Sequence, residues 1–435
     1  MPAGSLSYHL SMSVPPVQST VLSFEDARRV VEEQAARVPA GETELVDLLA
    51  AAGRVLGEPV EADRDLPPFP RSTRDGYAVR SADLSRLPAT LDVIGEVKAG
   101  EKIDRIPSNV GRGQAVSIMT GAPVPEGADT VVMVEYTIRH GERVEITRGA
   151  GIGENIVPRG AEARQGTALL DRGQRLTEAA LALAASTGKS RLQVYKRPRV
   201  AVLTTGDEIV NVDVVPGPTQ IRNSNSYSLA AQILRAGGQP VLLPVAPDEP
   251  DALRRLIELG LKSDLLLLTG GVSMGRYDLV EQVLSEMDAE FFFTGAKIQP
   301  GRPVVFGKCG AGTLAREGAL APGGTYFFGL PGNPVSTMVT FELFARPIME
   351  AVAGQLPSKL TFLHAHLKSE IRVKTGLTRF LPAILSGELE NSQVELVAWQ
   401  GSGDIAATAR ANCYAVIPPH RESFSAGEWI AVMMR

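Results

Sequence analysis

Three segments of the chain place glycines, hydroxyls and carboxylates directly after apolar runs. They are Val202-Leu203-Thr204-Thr205-Gly206-Asp207-Glu208, then Leu265-Leu266-Leu267-Leu268-Thr269-Gly270-Gly271-Val272-Ser273 leading to Asp278, and Phe328-Gly329-Leu330-Pro331-Gly332-Asn333-Pro334-Val335-Ser336. Each reads as a buried strand of a parallel sheet that ends in a tight turn. Glycine has no Cβ, so the backbone N–H groups of Thr269-Gly270-Gly271 can come close to an anion. In the third segment two prolines and two glycines hold an irregular backbone just before a helix. Ser336 is then expected at or near the helix N-cap, where free N–H groups and the positive dipole end favour an oxyanion. One such loop also fits a plain strand–helix turn, with Asp278 or Ser336 as a helix cap. Three of them point to a single ligand-binding edge, because parallel strands bring their carboxyl ends together. The ligand chemistry this suits is a phosphorylated one.

Asp207, Glu208, Asp248 and Asp278 fall on or near the same strand ends. Carboxylates beside a phosphate site suit Mg²⁺, which keeps several waters and bridges to phosphate oxygens. Glu208 and Asp278 are the first metal candidates and Asp248 the third. No Walker-type G-x-x-x-x-G-K-[ST] loop is present, which disfavours P-loop ATP hydrolysis. His9, His140, His364, His366 and His420 lie away from these loops, which disfavours histidine-based catalysis.

The elements that must position these residues follow from patterning. The chain has 435 residues, 44% hydrophobic and 21% charged, enough core for several domains. Its net charge of −5 argues against a general nucleic-acid binder. Cys309 and Cys413 form no metal-spacing motif and fit a reducing, cytoplasmic compartment. No apolar run is long enough to span a membrane. Residues 1–20 are Ser/Pro-rich, show no signal-peptide pattern and are expected to be a disordered tail. Ser23 can cap a helix from Phe24 to about Val38, with Ala27, Val30, Val31, Ala35 and Val38 on one stripe. Short strands punctuated by Gly and Pro between 67 and 158 read as a small β module. From 197 to 356 strands and helices alternate, which implies a mostly parallel sheet with helices on both faces. A helix is expected from Ser226 to Ala236, closed by Gly237-Gly238, and another from Ser336 to about Ala351. Five short strands between 357 and 435, with no helical period between them, suggest a β-barrel or sandwich.

Taken together, these motifs resemble the molybdopterin molybdenumtransferases, the MoeA and gephyrin E-domain family. Thr-Thr-Gly-Asp-Glu (204–208), Thr-Gly-Gly-Val-Ser-Met-Gly-x-x-Asp (269–278) and Leu-Pro-Gly-Asn-Pro-Val-Ser (330–336) carry the resemblance. So do Pro-Pro-Phe-Pro-x-Ser-x-x-Asp-Gly-Tyr-Ala-Val-Arg (67–80), Met-Thr-Gly-Ala-Pro-Val-Pro-x-Gly-Ala-Asp (119–129) and Gln-Gly-Ser-Gly-Asp (400–404). The resemblance covers roughly residues 21 to 435, in family order. It implies an elongated, multi-domain α/β-plus-β subunit. Residues 21–66 with 159–196 would form a linker and dimerisation domain, 67–158 the small β module, 197–356 the molybdopterin-binding α/β domain and 357–435 a β-barrel. It implies a homodimer in which the β module of one protomer faces the α/β domain of the other, bringing Asp75 and Thr120 to a shared site. By composition alone those two residues sit in β-turns.

The reaction it implies is the last step of molybdenum cofactor biosynthesis: Mg²⁺-assisted insertion of molybdate into adenylylated molybdopterin, with release of AMP. In that reading Asp75, Thr120, Glu208 and Asp278 are catalytic. Thr205, Gly206, Asp207, Gly270, Gly271, Ser273, Pro331, Gly332, Asn333 and Pro334 hold the substrate. Ser336, Lys297, Arg302, Arg379 and Ser402 meet molybdate. Further partners would be the adenylyltransferase that supplies the substrate and the apoproteins that receive the cofactor. Three positions depart from the family pattern. Gln299-Pro300-Gly301-Arg302 stands where relatives carry lysine before Pro-Gly, Glu162 stands in place of aspartate, and Arg379 is displaced. Two rival readings are an adenylyltransferase on the same α/β fold and a non-enzymatic scaffold. The flanking modules at 67–158 and 357–435 disfavour the first, and the lack of an added linker disfavours the second.

Overall fold

Leu265–Leu268 expose no surface at all. A run buried on both sides must be an interior strand, and the computed structural model, which describes residues 20–270, 279–310 and 324–435, places it in one. Gly271, Ser273 and Asp278 lie outside the described residues. The central sheet contains β1 (Arg199–Thr204), β2 (Gln239–Leu242), β3 (Leu265–Thr269), β4 (Glu290–Phe293), β5 (Val305–Cys309) and β6 (Thr325–Leu330). Their order is β2-β1-β3-β6-β5-β4. The first four in that order run parallel, while β5 is antiparallel to both β6 and β4.

Alternation along the strands sorts side chains onto two faces. Val200, Val202, Leu265, Leu267, Phe306 and Phe328 share one core with Leu229, Ile233, Val335 and Val339. Those partners come from helices α1 (Asn225–Arg235) and, later in the chain, Pro334–Thr340. Ala27 and Val31 of the N-terminal helix Phe24–Ala35 join the same face. Ala201, Leu203, Leu266, Leu268, Val305 and Phe327 point the other way, against α2 (Pro250–Gly260) and α3 (Leu279–Glu286). The helix that follows β6 is α4 (Pro334–Thr340).

Local signals set the helix ends. Ser23 Oγ accepts the Asp26 amide at 3.0 Å and donates to the Asp26 carboxylate at 2.8 Å. After α1 the Gly237 amide bonds to the Leu234 carbonyl at 3.0 Å and the Gly238 amide to Ile233 at 2.8 Å, with Gly237 at φ +91°. That is the pair of bonds that closes a helix on a left-handed residue.

The outer modules are both strand-rich. Between Gly76 and Ile146 a six-stranded sheet forms, including a Thr137–His140 strand that the hydrophobic pattern did not show. Thr43–Asp47 pairs with Arg191–Tyr195 and Val60–Glu61 with Ala168–Leu170, so the segments before and after that sheet are bound to each other. At the C-terminus, strands Thr378–Ser386, Gln393–Leu396, Leu363–Leu367, Trp429–Met434 and Cys413–Ile417 close into a five-stranded barrel.

Two expectations change. The barrel segment contains a helix, Ile405–Arg410, started by Asp404, whose carboxylate accepts the Ala407 and Gln400 amides at 2.9 and 3.0 Å. Six residues are too few for a periodicity signal to register. The helix after β6 starts at Pro334 with Asn333 as N-cap, so Ser336 sits inside its first turn. Proline suits the first helical position because its missing N–H would be unpaired there anyway. The helix then opens into a π-helical turn at Phe341–Ala345 before continuing as Arg346–Val352.

Candidate active site

The strand register aligns the three loops. Thr204 lies opposite Thr269, and Thr269 opposite Leu330, so segment 205–208, Gly270 and segment 331–336 leave the sheet side by side. They are pressed together. A Cβ at Gly270, which has φ +91°, would stand 2.3 Å from the Thr205 carbonyl oxygen. Only glycine permits that approach. Thr205 N–H donates to the Thr269 carbonyl at 3.0 Å. Thr269 Oγ1 donates to the Pro331 carbonyl at 3.2 Å, and Thr337 Oγ1 donates to the same carbonyl.

Helix α1 braces this edge with residues that sequence reasoning missed. Asn225 Nδ2 donates to Thr269 Oγ1 at 2.9 Å and to the Gly332 carbonyl at 2.7 Å. Thr204 Oγ1 and Ser226 Oγ lie 2.9 Å apart, and Asn223 both donates to Ser226 Oγ at 2.9 Å and accepts its amide at 3.1 Å. Asn223, Asn225 and Ser226 are all buried. The available signal was the run Asn223-Ser224-Asn225-Ser226 at the head of an amphipathic helix, because buried polar side chains are the informative exceptions.

The acids gather on the outer side of β1. Thr205 Oγ1 donates to Asp248 Oδ1 at 2.9 Å, and the Asp248 amide donates to Asp207 Oδ1 at 3.1 Å. The Glu208 carboxylate folds over Gly206. Asp207, Glu208 and Asp248 are exposed and so free to meet a ligand. Among the described residues no three His, Cys, Asp or Glu side chains form a cage for a metal ion. Mg²⁺ needs no such cage: one or two carboxylates, waters and substrate phosphates satisfy it. The hard oxygen donors of Glu208, Asp248 and Asp207 fit that mode.

A second corner forms at the start of α4. The Val335 amide donates to the Ser402 carbonyl at 3.0 Å, so the C-terminal segment 400–404 is seated on the helix terminus. Ile298-Gln299 pairs in parallel with Thr378-Arg379 of the barrel, and Thr378 N–H donates to the Lys297 carbonyl at 3.1 Å. Gly301 packs on α4, where a Cβ would meet Thr340 at 2.5 Å. These contacts link the start of α4, where Ser336 is buried, to segment 400–404, to Gly301 and through Gln299 to the backbone of Arg379. Arg379, expected as an anion contact, is only 8% exposed. Its guanidinium donates to the Leu377 carbonyl at 3.2 Å and forms no ion pair among the described residues. Burial holds its pKa below the ordinary arginine value. Lys297 and Arg302 are exposed.

In the N-terminal β sheet, Asp75 Oδ1 accepts the Thr120 amide at 2.7 Å, so these two candidates do meet. Glu162 pairs with Arg71 at 2.8 Å. Among the described residues, the hydrogen bonds and ion pairs of segment 67–158 stay within it or run to residues 159–165. None reaches the central strand ends from within the same chain.

A protein named molybdopterin molybdenumtransferase from Nostoc sp. is 34% identical over 404 residues, covering 90% of this chain and 88% of its own. The chain belongs to the molybdopterin molybdenumtransferase family. A second member so named, from Bacillus subtilis, is 32% identical over 91% of this chain and 90% of its own. The family's N-terminal region (domains I and II) matches residues 22–188, a probable molybdopterin-binding domain 201–351, and the family's C-terminal region (domain IV) 364–434. Two crystal structures of a molybdopterin biosynthesis MoeA protein from Pyrococcus horikoshii share the architecture. One is 30% identical with a TM-score of 0.68, the other 25% identical with 0.74; each match covers 95% of this chain and 99% or more of the other. For a family member, the β1–β3–β6 loop edge lies inside the matched molybdopterin-binding domain, while Arg379 and Ser402 belong to the matched C-terminal region.

Proposed function

We propose that this protein inserts molybdate into adenylylated molybdopterin and releases AMP, using the β1–β3–β6 edge for the pterin nucleotide and the start of α4 for molybdate. One observation carries the reading. Three glycine-bearing strand ends lie in register, and the start of α4 after the third of them is joined to segment 400–404 of the C-terminal region by the Val335–Ser402 bond.

The residues divide the work by their surroundings. Gly270 and Gly332, with Thr205, Gly206 and the Pro331–Pro334 turn around them, would orient the pyrophosphate, and Gly271 and Ser273 are assigned to the same task from the sequence. The Ser336 turn, Ser402 and the Arg379 guanidinium hold the oxyanion, with Lys297 and Arg302 at its rim. A buried cation without a carboxylate partner carries a desolvation cost that an arriving anion relieves. Glu208, Asp278 and Asp248 would hold Mg²⁺, which when bound polarises the phosphate linkage as a Lewis acid. Holding both substrates in place removes most of the entropic barrier to their reaction.

Asp75 and Thr120 reach this site only from a second protomer in the proposed homodimer, with segments 21–66 and 159–196 at its interface. The adenylyltransferase and the acceptor apoenzymes are further partners in this scheme, and the cytoplasm its location. Among the described residues no helix is long and apolar enough to cross a membrane. The test is molybdate-dependent AMP release from adenylylated molybdopterin, with and without Mg²⁺. Release that needs both agrees with the reading. Substrate binding without molybdate-dependent release overturns it.

A further inference from the structure

Asn225 is 8% exposed, and its carboxamide oxygen is buried with no hydrogen-bond partner. An acceptor left in that state costs stability, because it gave up water and found no partner. A leucine of similar volume would avoid the cost, so the stability of the helix does not account for the side chain. Its nitrogen does something a leucine cannot. The two N–H bonds go to different loops: one to Thr269 Oγ1 at the end of β3, the other to the Gly332 carbonyl in the turn after β6. The orientation of the amide is settled by these partners, because the Gly332 carbonyl can only accept.

We propose that Asn225 is a positioning residue that sets the width of the crevice between the β3 and β6 loops. The idea rests on the function proposed above and names a part of the same site. Gly332 lies on the substrate side of the turn that leads to Ser336, with Gly270 facing it across 3.5 Å from the point where a Cβ would project. The β3–β6 register holds the loops only as far as Thr269 and Leu330. Beyond that point the cross-links among the described residues are the Thr269–Pro331 bond and the Asn225 bridge. Without the bridge, the Gly332 carbonyl loses its donor, and on the β3 side the Thr269–Pro331 bond alone holds the 331–334 turn among the described residues. Proline at 331 and 334 makes each half of the turn stiff, so movement is expected as a hinge about Gly332 and Asn333.

The decisive variant is Asn225→Leu, which removes both donors and the orphaned oxygen together. Two readouts on the full-length protein separate the possibilities. Hydrogen exchange without substrate should speed up at the Gly332, Asn333, Val335 and Ser336 amides and stay unchanged in the barrel. In the AMP-release assay KM for adenylylated molybdopterin should rise and kcat/KM fall on the order of 10–100-fold, with a thermal midpoint equal to or above wild type. Unchanged exchange in the 332–336 turn, or wild-type kcat/KM in the folded variant, overturns the proposal. A purely structural role predicts loss of activity in step with loss of the thermal midpoint. Should Asn225→Leu fail to fold, Thr269→Val removes the other end of the bridge. It should loosen the same amides, and its failure to do so also overturns the proposal. Wild-type protein that shows no molybdate-dependent AMP release would overturn the function instead, while the exchange result still decides the role of Asn225.

Discussion

The strand edge of the central sheet and the Asp75–Thr120 turn of the N-terminal sheet both hold candidate catalytic residues, in opposite physical settings. At the strand edge Thr204, Thr205, Thr269, Asn223, Asn225 and Ser226 are buried polar groups cross-linked between elements far apart in sequence. The Asp75–Thr120 bond is exposed and spans neighbouring turns of one sheet. Buried networks fix geometry because every unpaired group in them is costly, whereas an exposed bond trades readily with water. The first region thus holds its geometry without help from another element of the molecule. The second can only add to a site that something else completes, and within one chain nothing connects the two.

Several experiments would sharpen or break that contrast. The largest effect is expected at Asp278: Asp278→Ala should abolish AMP release while circular dichroism stays at wild type, and normal release would remove Asp278 from the metal-holding set. Next is Arg379→Ala, which should cut molybdate-dependent turnover about 100-fold, as removal of a positioned donor to an oxyanion does. Its thermal midpoint should hold or rise, since a buried cation without a carboxylate partner is a cost to the fold. A falling midpoint with unchanged molybdate KM would make Arg379 structural.

The contrast itself is tested by mixing. Asp75→Ala and Glu208→Ala should each be inactive. Refolded together they should regain roughly a quarter of wild-type activity, because half of randomly mixed two-fold dimers are hybrids that keep one intact site. No recovery would place Asp75 and Glu208 in the same protomer's site, or Asp75 in none. The smallest effect belongs to Asp404. The Ala407 and Gln400 amides hold its carboxyl below the ordinary value of 3.8, so its contribution is complete above that pH and lost as pH falls through the lower folded value. Asp404→Ala should lower the thermal midpoint modestly at neutral pH and merge with wild type in strong acid. Asp404→Asn should stay close to wild type at neutral pH, since asparagine also caps helices.

What could be read without coordinates was what neighbours along the chain decide. Leu265–Leu268 had to be a strand covered on both faces, Ser23 had to start a helix, and glycines after apolar runs had to be turns. Period, caps and the absence of a Cβ act within a few residues, so the chain carries them in plain view. The motif set likewise led to the family, because its spacing is local. The six-residue helix at Ile405–Arg410 was too short to show a period, and Ser336 was placed two residues too early because Pro334, not the serine, begins α4.

Only the tertiary structure decided which polar groups are buried and against what. Nothing beside Arg379 in the sequence records that Ile298-Gln299 pairs alongside it from far away and that its side chain is buried. Asn225 reads as part of a polar helix start until β3 and β6 bring Thr269 and Gly332 to its amide. Both outcomes depend on strand register across long separations. There one residue of slip would turn every side chain to the other face, and no local pattern records the partner.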